Sequence, residues 1–219
     1  MPESNKPLVI AYHLMWTVYG AWLPNVPRGS TSRTIRNDVI AELGELHFGR
    51  KRVQPAGHEI RAFSSRAQEA LAHPILTFTP DQLETVADTM SEAIAECTYT
   101  CYACAVMPDH VHLVIRKHRD LGETMIERLQ ALSRERLIEV GLRTTDHPAW
   151  TRGGWKVYLE HPEDVRRTNR YVEQNPVKAR LPPQAWRWVK PYDGWPLHDG
   201  HSPNSPYVRA LRRAGRYPR

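Results

Sequence analysis

Short apolar runs along this chain alternate with stretches of helical periodicity. Residues 8–19 are rich in β-branched and aromatic side chains, which predicts a first strand with at least one buried face. Residues 99–106 have an extended pattern, and a turn sequence at 107–109 separates them from a second apolar run at 110–115. These two runs are typical of an antiparallel hairpin. A short strand is also predicted at 75–78, and an edge strand within 150–159.

Helix signals are clearest after position 79. Thr79 is a predicted N-cap, Pro80 takes the first helical position, and Gln82 can complete a capping box. The apolar residues that follow recur at helical spacing, and they are Leu83, Val86, Met90, Ile94 and Cys97. This spacing predicts a helix with one face in the core.

Further helices complete the predicted architecture. One runs from about 120 to 141, and another begins at Pro162 and is closed by Pro176. The chain between the first strand and position 74 is ambiguous, with candidate short helices at 38–47 and 61–72. The order is then strand, helical region, hairpin, helix, strand, helix. This mixture predicts the α+β class, with an antiparallel sheet and helices packed on one face.

Length and composition restrict the class of protein. The 219 residues are enough for one ordinary domain with tails, and the composition excludes wholesale disorder and simple repeats. No apolar run approaches the about 18 residues that a membrane span requires. Residues 1–6 lack the apolar core of a signal peptide. We therefore expect a soluble protein of the cytoplasm.

Positive charge is concentrated towards the C-terminus. Residues 176–219 hold 9 basic and 2 acidic side chains, whereas the rest of the chain holds 21 basic and 22 acidic ones. Such a tail suits a polyanion, nucleic acid first and an anionic membrane second, or it only keeps the protein in solution. The tail interleaves Trp186, Trp188 and Trp195 with Arg187 and Lys190. This pattern predicts either a stacking surface for unpaired bases or a tail that folds back and buries its rings.

The three cysteines are expected to be free thiols. Cys97, Cys101 and Cys104 have the spacing C-x3-C-x2-C, which is associated with radical-SAM iron–sulfur clusters. Cys97, however, falls on an apolar helix face, and residues three apart in a strand face opposite sides of a sheet. The three sulfurs are therefore not expected to converge, and buried free thiols are the better interpretation.

His110 and His112 are the first candidates for chemistry. They are two apart in a predicted strand, so both side chains leave the same face of the sheet, which we expect to be exposed. Val111 and Leu113 then point into the helices. Two imidazoles on one face are two thirds of a metal site, and an incidental or structural pair is the alternative. Asp109 is expected to cap the preceding turn rather than to bind a metal.

Tyr171 and Asn175 are the second pair of candidates. They are four residues apart on the last predicted helix, so they share one face about one turn apart. If that face lies against the histidine strand, Asn175 can offer its carbonyl oxygen to a metal beside the Tyr171 hydroxyl. Two neutral nitrogens and one amide oxygen suit a hydrated Mg²⁺ or Mn²⁺ that holds phosphate oxygens. The alternative is a half-buried tyrosine and a C-cap asparagine ahead of Pro176.

Two motifs resemble those of a known family. The segment VMPDHVHLVI at 106–115 resembles the HUH signature of single-tyrosine transposases of the insertion-sequence 200/605 type, and YVEQNPVKARL at 171–181 resembles their catalytic-tyrosine helix. The likeness is greatest to the REP-associated tyrosine transposases. Segments 12–30 and 150–155 also resemble corresponding parts of such proteins. The resemblance extends over about residues 8–182.

The resemblance implies a fold and a domain organisation. The expected fold is the ferredoxin-like or RRM-like HUH nuclease fold, formed by residues 1–182 with a loop-rich insertion at about 24–78. Residues 183–219 are expected to form a basic C-terminal tail rich in tryptophan, proline and arginine.

The resemblance also implies a reaction. His110, His112 and Asn175 would hold Mg²⁺ or Mn²⁺, with Gln174 as the fallback because relatives differ between Gln and Asn there. Tyr171 would attack a phosphodiester and leave a 5′-phosphotyrosine and a free 3′-OH, without ATP.

Partners follow from the same resemblance. The implied partners are single-stranded DNA and DNA hairpins. The protein is expected to be associated with the nucleoid, and a monomer is favoured over a homodimer. The candidate DNA contacts are Arg28, Arg33, Arg36, His118, Arg187, Lys190, Arg212 and Arg213. His13, in mid-strand, is expected to be a structural histidine. Two alternatives are a domesticated relative that processes repeat hairpins and a DNA- or RNA-binding protein without catalysis.

Overall fold

The protein is built around one four-stranded antiparallel sheet. The computed structural model describes residues 9–30, 32–35, 37–49, 51–195, 209 and 213–214. The strands are β1 (Ala11–Thr17), β2 (Cys101–Val106), β3 (His110–Arg116) and β4 (Trp155–Leu159). Their order across the sheet is β2-β3-β1-β4, so β2 and β4 are the edges. The predicted α+β class, the hairpin and the edge strand are confirmed.

Five helices lie between residues 38 and 178. They are α1 (Asp38–Ala41), α2 (Gly57–Ala70), α3 (Pro80–Glu96), α4 (Gly122–Glu139) and α5 (Pro162–Lys178). The Thr79 hydroxyl accepts from the Gln82 backbone, and the Gln82 side chain accepts from the Thr79 backbone, so the predicted capping box at the start of α3 is confirmed. None of the helices in this part of the chain is long and apolar enough to cross a membrane.

Three local predictions need correction. The helix predicted at 38–47 has only four residues, because α1 buries no side chain and Gly44 follows at a φ of +136°, which is outside the helical region. The segment 75–78 is not a strand, because its backbone makes separate hydrogen bonds to Tyr19 and Pro108 rather than a ladder. Pro176 does not close the last helix, since α5 continues to Lys178 with Pro176 buried within it.

Helices cover both faces of the sheet. One face packs under α3 and α4 through large apolar side chains of the strands, such as Leu14, Trp16 and Leu113. The other face packs under α5, where Ala103 and Ala105 are among the strand residues in the core. Such small side chains let a helix approach the sheet closely. The prediction that helices share one face therefore holds for α3 and α4 but not for α5.

The sulfur atoms of β2 lie on the face covered by α3 and α4. Cys101 and Cys104 belong to the same core cluster, although residues three apart were expected to face opposite sides. A register shift between Cys101 and Ala103 explains the difference, because a bulge reverses the alternation of side chains beyond it. Both thiols are free and buried, as predicted, and burial raises the pKa of Cys104.

The chain after α5 packs along the free edge of β2. The Gln184 side-chain amide donates to the Val106 carbonyl at 2.7 Å and accepts from the Val106 amide at 2.9 Å. Further along, the Lys190 amide donates to the Cys101 carbonyl, and Trp195 is buried on the α5 side. An edge strand covered in this way has fewer free groups for pairing with another chain. As far as Trp195, the tail therefore folds back on the sheet.

Candidate active site under helix α5

His110 and His112 face α5 from the middle of the sheet. The alternation of β3 turns both to one side, as predicted, but this side is not exposed. His110 is 8% exposed and His112 is 1% exposed, because α5 crosses this face and the Trp22 ring lies 5.2 Å from the His110 ring. The expectation of an exposed histidine pair was therefore wrong, and the pair lines a covered crevice.

A hydrogen-bond chain orients His110. Its Nδ1 lies 2.6 Å from Asp109 Oδ1, and the Trp22 indole donates to Asp109 Oδ2 at 3.1 Å. Burial alone would raise the pKa of Asp109, but the hydrogen bonds from His110 and Trp22 and the charge of Arg28 outweigh it and lower that pKa. The ionised carboxylate can only accept, so His110 Nδ1 carries a proton, and in the neutral ring Nε2 has the lone pair. Asp109 thus does more than cap the turn.

His112 has a second histidine as its partner. Its Nδ1 lies 2.9 Å from Nε2 of His13 on β1, and the two rings stack with centroids 5.1 Å apart. Burial lowers the pKa of His13 to about 4 and lowers the pKa of His112 further, so both rings are neutral at pH 7. The contact uses Nδ1 of His112 and leaves its Nε2 as the nitrogen available to a ligand.

Tyr171 lies beside His112 and His13. Its ring centroid is 5.6 Å from that of His112 and 6.1 Å from that of His13, in edge-to-face geometry with both. The side chain is 46% exposed, and Lys178 Nζ lies 5.5 Å from the ring centroid. A phenol at this position is open to solvent on one side and adjoins the imidazoles on the other. The sequence-predicted Tyr171 and His112 are therefore brought together by the fold.

Asn175 follows one turn after Tyr171 and is the less exposed of the two candidate amides. Its amide nitrogen is buried and has no hydrogen-bond partner among the described residues, whereas Gln174 is exposed. The oxygen and nitrogen of an amide are distinguished only by their hydrogen bonds, so this unpaired group can present either atom. Glu173 is exposed, as expected.

His110, His112 and Asn175 are the candidate ligands of a divalent cation. Two imidazole nitrogens and one amide would be three neutral ligands, a set that leaves most of the ion's charge available to phosphate oxygens. The described residues contain no group of three or more His, Cys, Asp or Glu side chains that could hold a metal ion. A site of two histidines and one amide does not require such a group.

A cavity of about 640 Å³ adjoins the His110 end of the site. Trp22 and Trp155 contribute aromatic wall, and Arg33 and Arg152 contribute positive charge. Thr17, which pairs with His110 across the sheet, also lines the cavity. Its buried hydroxyl has no partner among the described residues. The volume is within the range of small-ligand sites, about 300–1,000 Å³.

The predicted DNA contacts are scattered. Arg28 and Arg33 are exposed near the His110 end, and Arg33 also lies over the Phe48 ring. Arg187, Lys190 and Arg213 are exposed, the first two beside the β2 edge. His118 lies beyond the opposite end of β3, where it packs against Tyr99 and accepts from the Asp120 amide. Arg36 and Arg212 lie outside the described residues.

His13 is the residue that sequence reasoning undervalued. Its mid-strand position predicts a structural histidine, yet His13 contacts both His112 and Tyr171. The signal that identifies it is the register of β1 against β3, in which His13 pairs with Val114 and so shares the face of His112. That register is a long-range property and cannot be obtained from either strand alone.

No family model matches this chain, and no curated protein matches it significantly. Among solved structures, it is similar to a REP-associated tyrosine transposase bound to a REP hairpin, with 13% identity and a TM-score of 0.41 over 82% of this chain and 74% of the other. It is also similar to a Deinococcus radiodurans R1 protein provisionally described as a transposase, with 13% identity and a TM-score of 0.36 over 80% and 96%. At these values the function must be argued from the residues of the chain itself.

Proposed function

We propose that this protein is a transposase-class enzyme that cuts and rejoins single-stranded DNA by means of a tyrosine nucleophile. The observation that carries the proposal is the position of Tyr171, whose ring is 5.6 Å from that of His112 and remains 46% exposed. A half-exposed tyrosine beside a buried neutral imidazole suits an attack on a phosphodiester. A tyrosine that served only to pack α5 against the sheet would not need to be half exposed.

The reaction is a transesterification. The Tyr171 oxygen attacks phosphorus, the bond from phosphorus to the 3′ oxygen breaks, and a 5′-phosphotyrosine forms. The phenol proton is lost and the leaving 3′ oxygen gains one, so the products are the covalent adduct and a free 3′-OH. One ester replaces another, and a 3′-OH can therefore reverse the step without ATP.

Each polar residue of the crevice has a role in this reaction. His110, His112 and Asn175 would hold Mg²⁺ or Mn²⁺, which would supply Lewis-acid polarisation of the scissile phosphate. Asp109 holds His110 with its Nε2 towards the ligand, through the 2.6 Å contact at Nδ1. Lys178, near the Tyr171 ring, adds positive charge where the phosphate must approach.

The surroundings of the site support single-stranded DNA as the substrate. The cavity next to His110 combines tryptophan walls with arginine side chains, and these groups suit stacking of unpaired bases and contact with phosphates. A hairpin with a flanking single strand is the specific form that we propose, and a domesticated repeat-processing role would use the same chemistry. Tyr171 and His112 of one chain are in contact, which supports a monomer as the active form.

One observation favours a second candidate. His112 is only 1% exposed and already has a hydrogen-bond partner, as a purely structural histidine would. The second candidate is therefore a DNA- or RNA-binding protein that does not cut its ligand. It predicts binding that is independent of Mn²⁺ and never covalent.

A covalent-trapping experiment separates the two. A pool of oligonucleotides, each with a hairpin and a random single-stranded flank, is labelled at the 3′ end and incubated with the protein and Mn²⁺. Because the adduct forms on the 5′ phosphate of the released 3′ fragment, a labelled protein band should survive denaturing electrophoresis. Tyr171→Phe is the matched control and should give no band while still binding the pool. Binding by the wild type without an adduct would favour the non-cleaving candidate.

A further inference from the structure

We propose that His13 is a positioning residue that determines the tautomer of His112 and thereby the affinity of the site for its divalent cation. The inference rests on the proposed metal-dependent function, but it concerns a residue outside the two motifs. The geometry that carries it is the 2.9 Å contact between His13 Nε2 and His112 Nδ1, with the rings stacked at an interplanar angle of 24°.

Two neutral imidazoles at this distance have two possible arrangements of protons. In the first, His13 Nε2–H donates to Nδ1 of His112, so His112 carries its own proton on Nε2 and cannot bind a cation there. In the second, His112 Nδ1–H donates to Nε2 of His13, whose proton is then on Nδ1, and Nε2 of His112 is a free lone pair. Each ring keeps one proton in both arrangements. A cation on His112 Nε2 therefore selects the second arrangement.

The two ligand histidines differ in this respect. His110 faces the Asp109 carboxylate, which only accepts, so in the neutral His110 ring the proton is on Nδ1 and the lone pair is on Nε2 before any cation arrives. His112 faces His13, which both donates and accepts, so its Nε2 is available only in one of two arrangements. The site thus has one ligand that is fixed in advance and one that must be selected on binding. Loss of such an outer hydrogen bond typically lowers metal affinity by about 10- to 100-fold.

The location of His13 connects this hydrogen bond to the reaction. Its ring is 6.1 Å from the Tyr171 ring, so it adjoins the proposed nucleophile. Its Nε2 is already used by His112, so it acts through that residue rather than as a ligand by that atom. His13 is partly buried, and removal of its ring would also leave space beside Tyr171.

Two substitutions separate hydrogen bonding from packing. His13→Phe keeps an aromatic ring in the stack but removes the acceptor, whereas His13→Gln keeps an amide oxygen that can accept from His112 Nδ1. His73→Phe is the matched control, because His73 is also partly buried and also packs against another histidine, His147, away from the site. Free Mn²⁺ is titrated by its electron paramagnetic resonance signal for all four proteins.

We expect His13→Phe to weaken Mn²⁺ binding by about 10- to 100-fold, with His13→Gln within about threefold of the wild type and His73→Phe unchanged. Equal Mn²⁺ affinity in wild type and His13→Phe would overturn the inference. So would an equal loss in His13→Gln and His13→Phe, because packing alone would then explain it.

A second readout uses only the wild-type protein, so it does not depend on the folding of any variant. Long-range proton–nitrogen spectra of histidine-labelled protein distinguish Nδ1–H from Nε2–H rings. Addition of Mg²⁺ should move His112 to the Nδ1–H form, with His110 already in that form before the addition. A His112 tautomer that Mg²⁺ leaves unchanged would refute the selection step. The proposed function is judged separately, because it fails if the wild type forms no covalent adduct with DNA, whatever His13 does.

Discussion

The edge of the Tyr171 ring meets the imidazole of His112, with the two centroids 5.6 Å apart and the ring planes at 85°. These residues belong to elements that are separated by α4 and β4 in the chain, and α5 brings them together by crossing the sheet. The contact joins a solvent-accessible phenol to a buried neutral imidazole. It is the feature from which the proposed cleavage chemistry follows.

The assignment of the third ligand can be tested with neighbouring amides. Asn175→Ala removes a buried, unpaired amide group and should weaken Mn²⁺ binding by about tenfold or more, a change of about 1.4 kcal/mol. Gln174→Ala changes an exposed side chain and should leave Mn²⁺ affinity unchanged, which makes it the matched control. Titration of Mn²⁺ into both variants measures the difference. A larger loss for Gln174→Ala would transfer the ligand role to Gln174.

The burial of His112 predicts that its substitution lowers the stability of the fold as well as the activity. His112→Ala should lower the free energy of unfolding by about 1–3 kcal/mol without metal, because it opens a space under α5 and leaves His13 without its partner. Urea denaturation in the presence of a chelator measures this, with Gln174→Ala as an exposed-site control expected within about 0.5 kcal/mol of the wild type. No loss in His112→Ala would indicate that α5 does not cover the pair in solution.

The neutral histidines also predict how stability depends on pH. His13 has its pKa lowered by burial to about 4, and those of His112 and His147 are also lowered, so each binds a proton more readily in the unfolded chain, where its pKa is about 6.5. Stability rises with pH wherever the unfolded state binds more protons. The free energy of unfolding should therefore fall as pH drops from about 6.5 towards 4, by at most about 1.4 kcal/mol per pH unit for each histidine.

Urea titrations at several pH values in a chelator measure this slope, and His13→Phe should make it shallower. A slope that is the same in His13→Phe as in the wild type would show that His13 is not held neutral by burial.

A close backbone approach between β1 and the segment before β4 gives a prediction outside the site. A Cβ atom at Gly154 would lie 2.6 Å from the Met15 carbonyl oxygen, so Gly154→Ala must push the two segments apart. We expect a loss of about 1–3 kcal/mol in unfolding free energy. Gly57→Ala is the control, since the nearest atom there is the flexible end of Arg61, and it should be neutral or slightly stabilising. Equal stability of the two variants would contradict the close approach.

The parts of the site that sequence could predict are those with local causes. Alternation along β3 places His110 and His112 on one face whatever the rest of the chain does, and the helical repeat places Tyr171 and Asn175 one turn apart. Capping chemistry likewise placed the start of α3 correctly. These features depend only on residues a few positions apart.

The parts that sequence could not predict depend on distant contacts. Which face α5 covers is decided by packing against small side chains such as Ala103 and Ala105, and this burial turned an expected exposed pair into a covered one. The role of His13 depends on the register of β1 with β3. The common face of Cys101 and Cys104 depends on a bulge that no periodicity indicates.

The site of covalent attachment to DNA tests most directly whether Tyr171 is the nucleophile. The wild-type protein is incubated with Mn²⁺ and the hairpin-bearing oligonucleotide pool, digested with nuclease and trypsin, and analysed by mass spectrometry. We expect a nucleotide 5′-phosphate on the peptide that contains residues 171–178, with Tyr171 as the modified residue, and no adduct from Tyr171→Phe. An adduct on any other residue, or one that Tyr171→Phe forms as readily as the wild type, would show that Tyr171 is not the nucleophile.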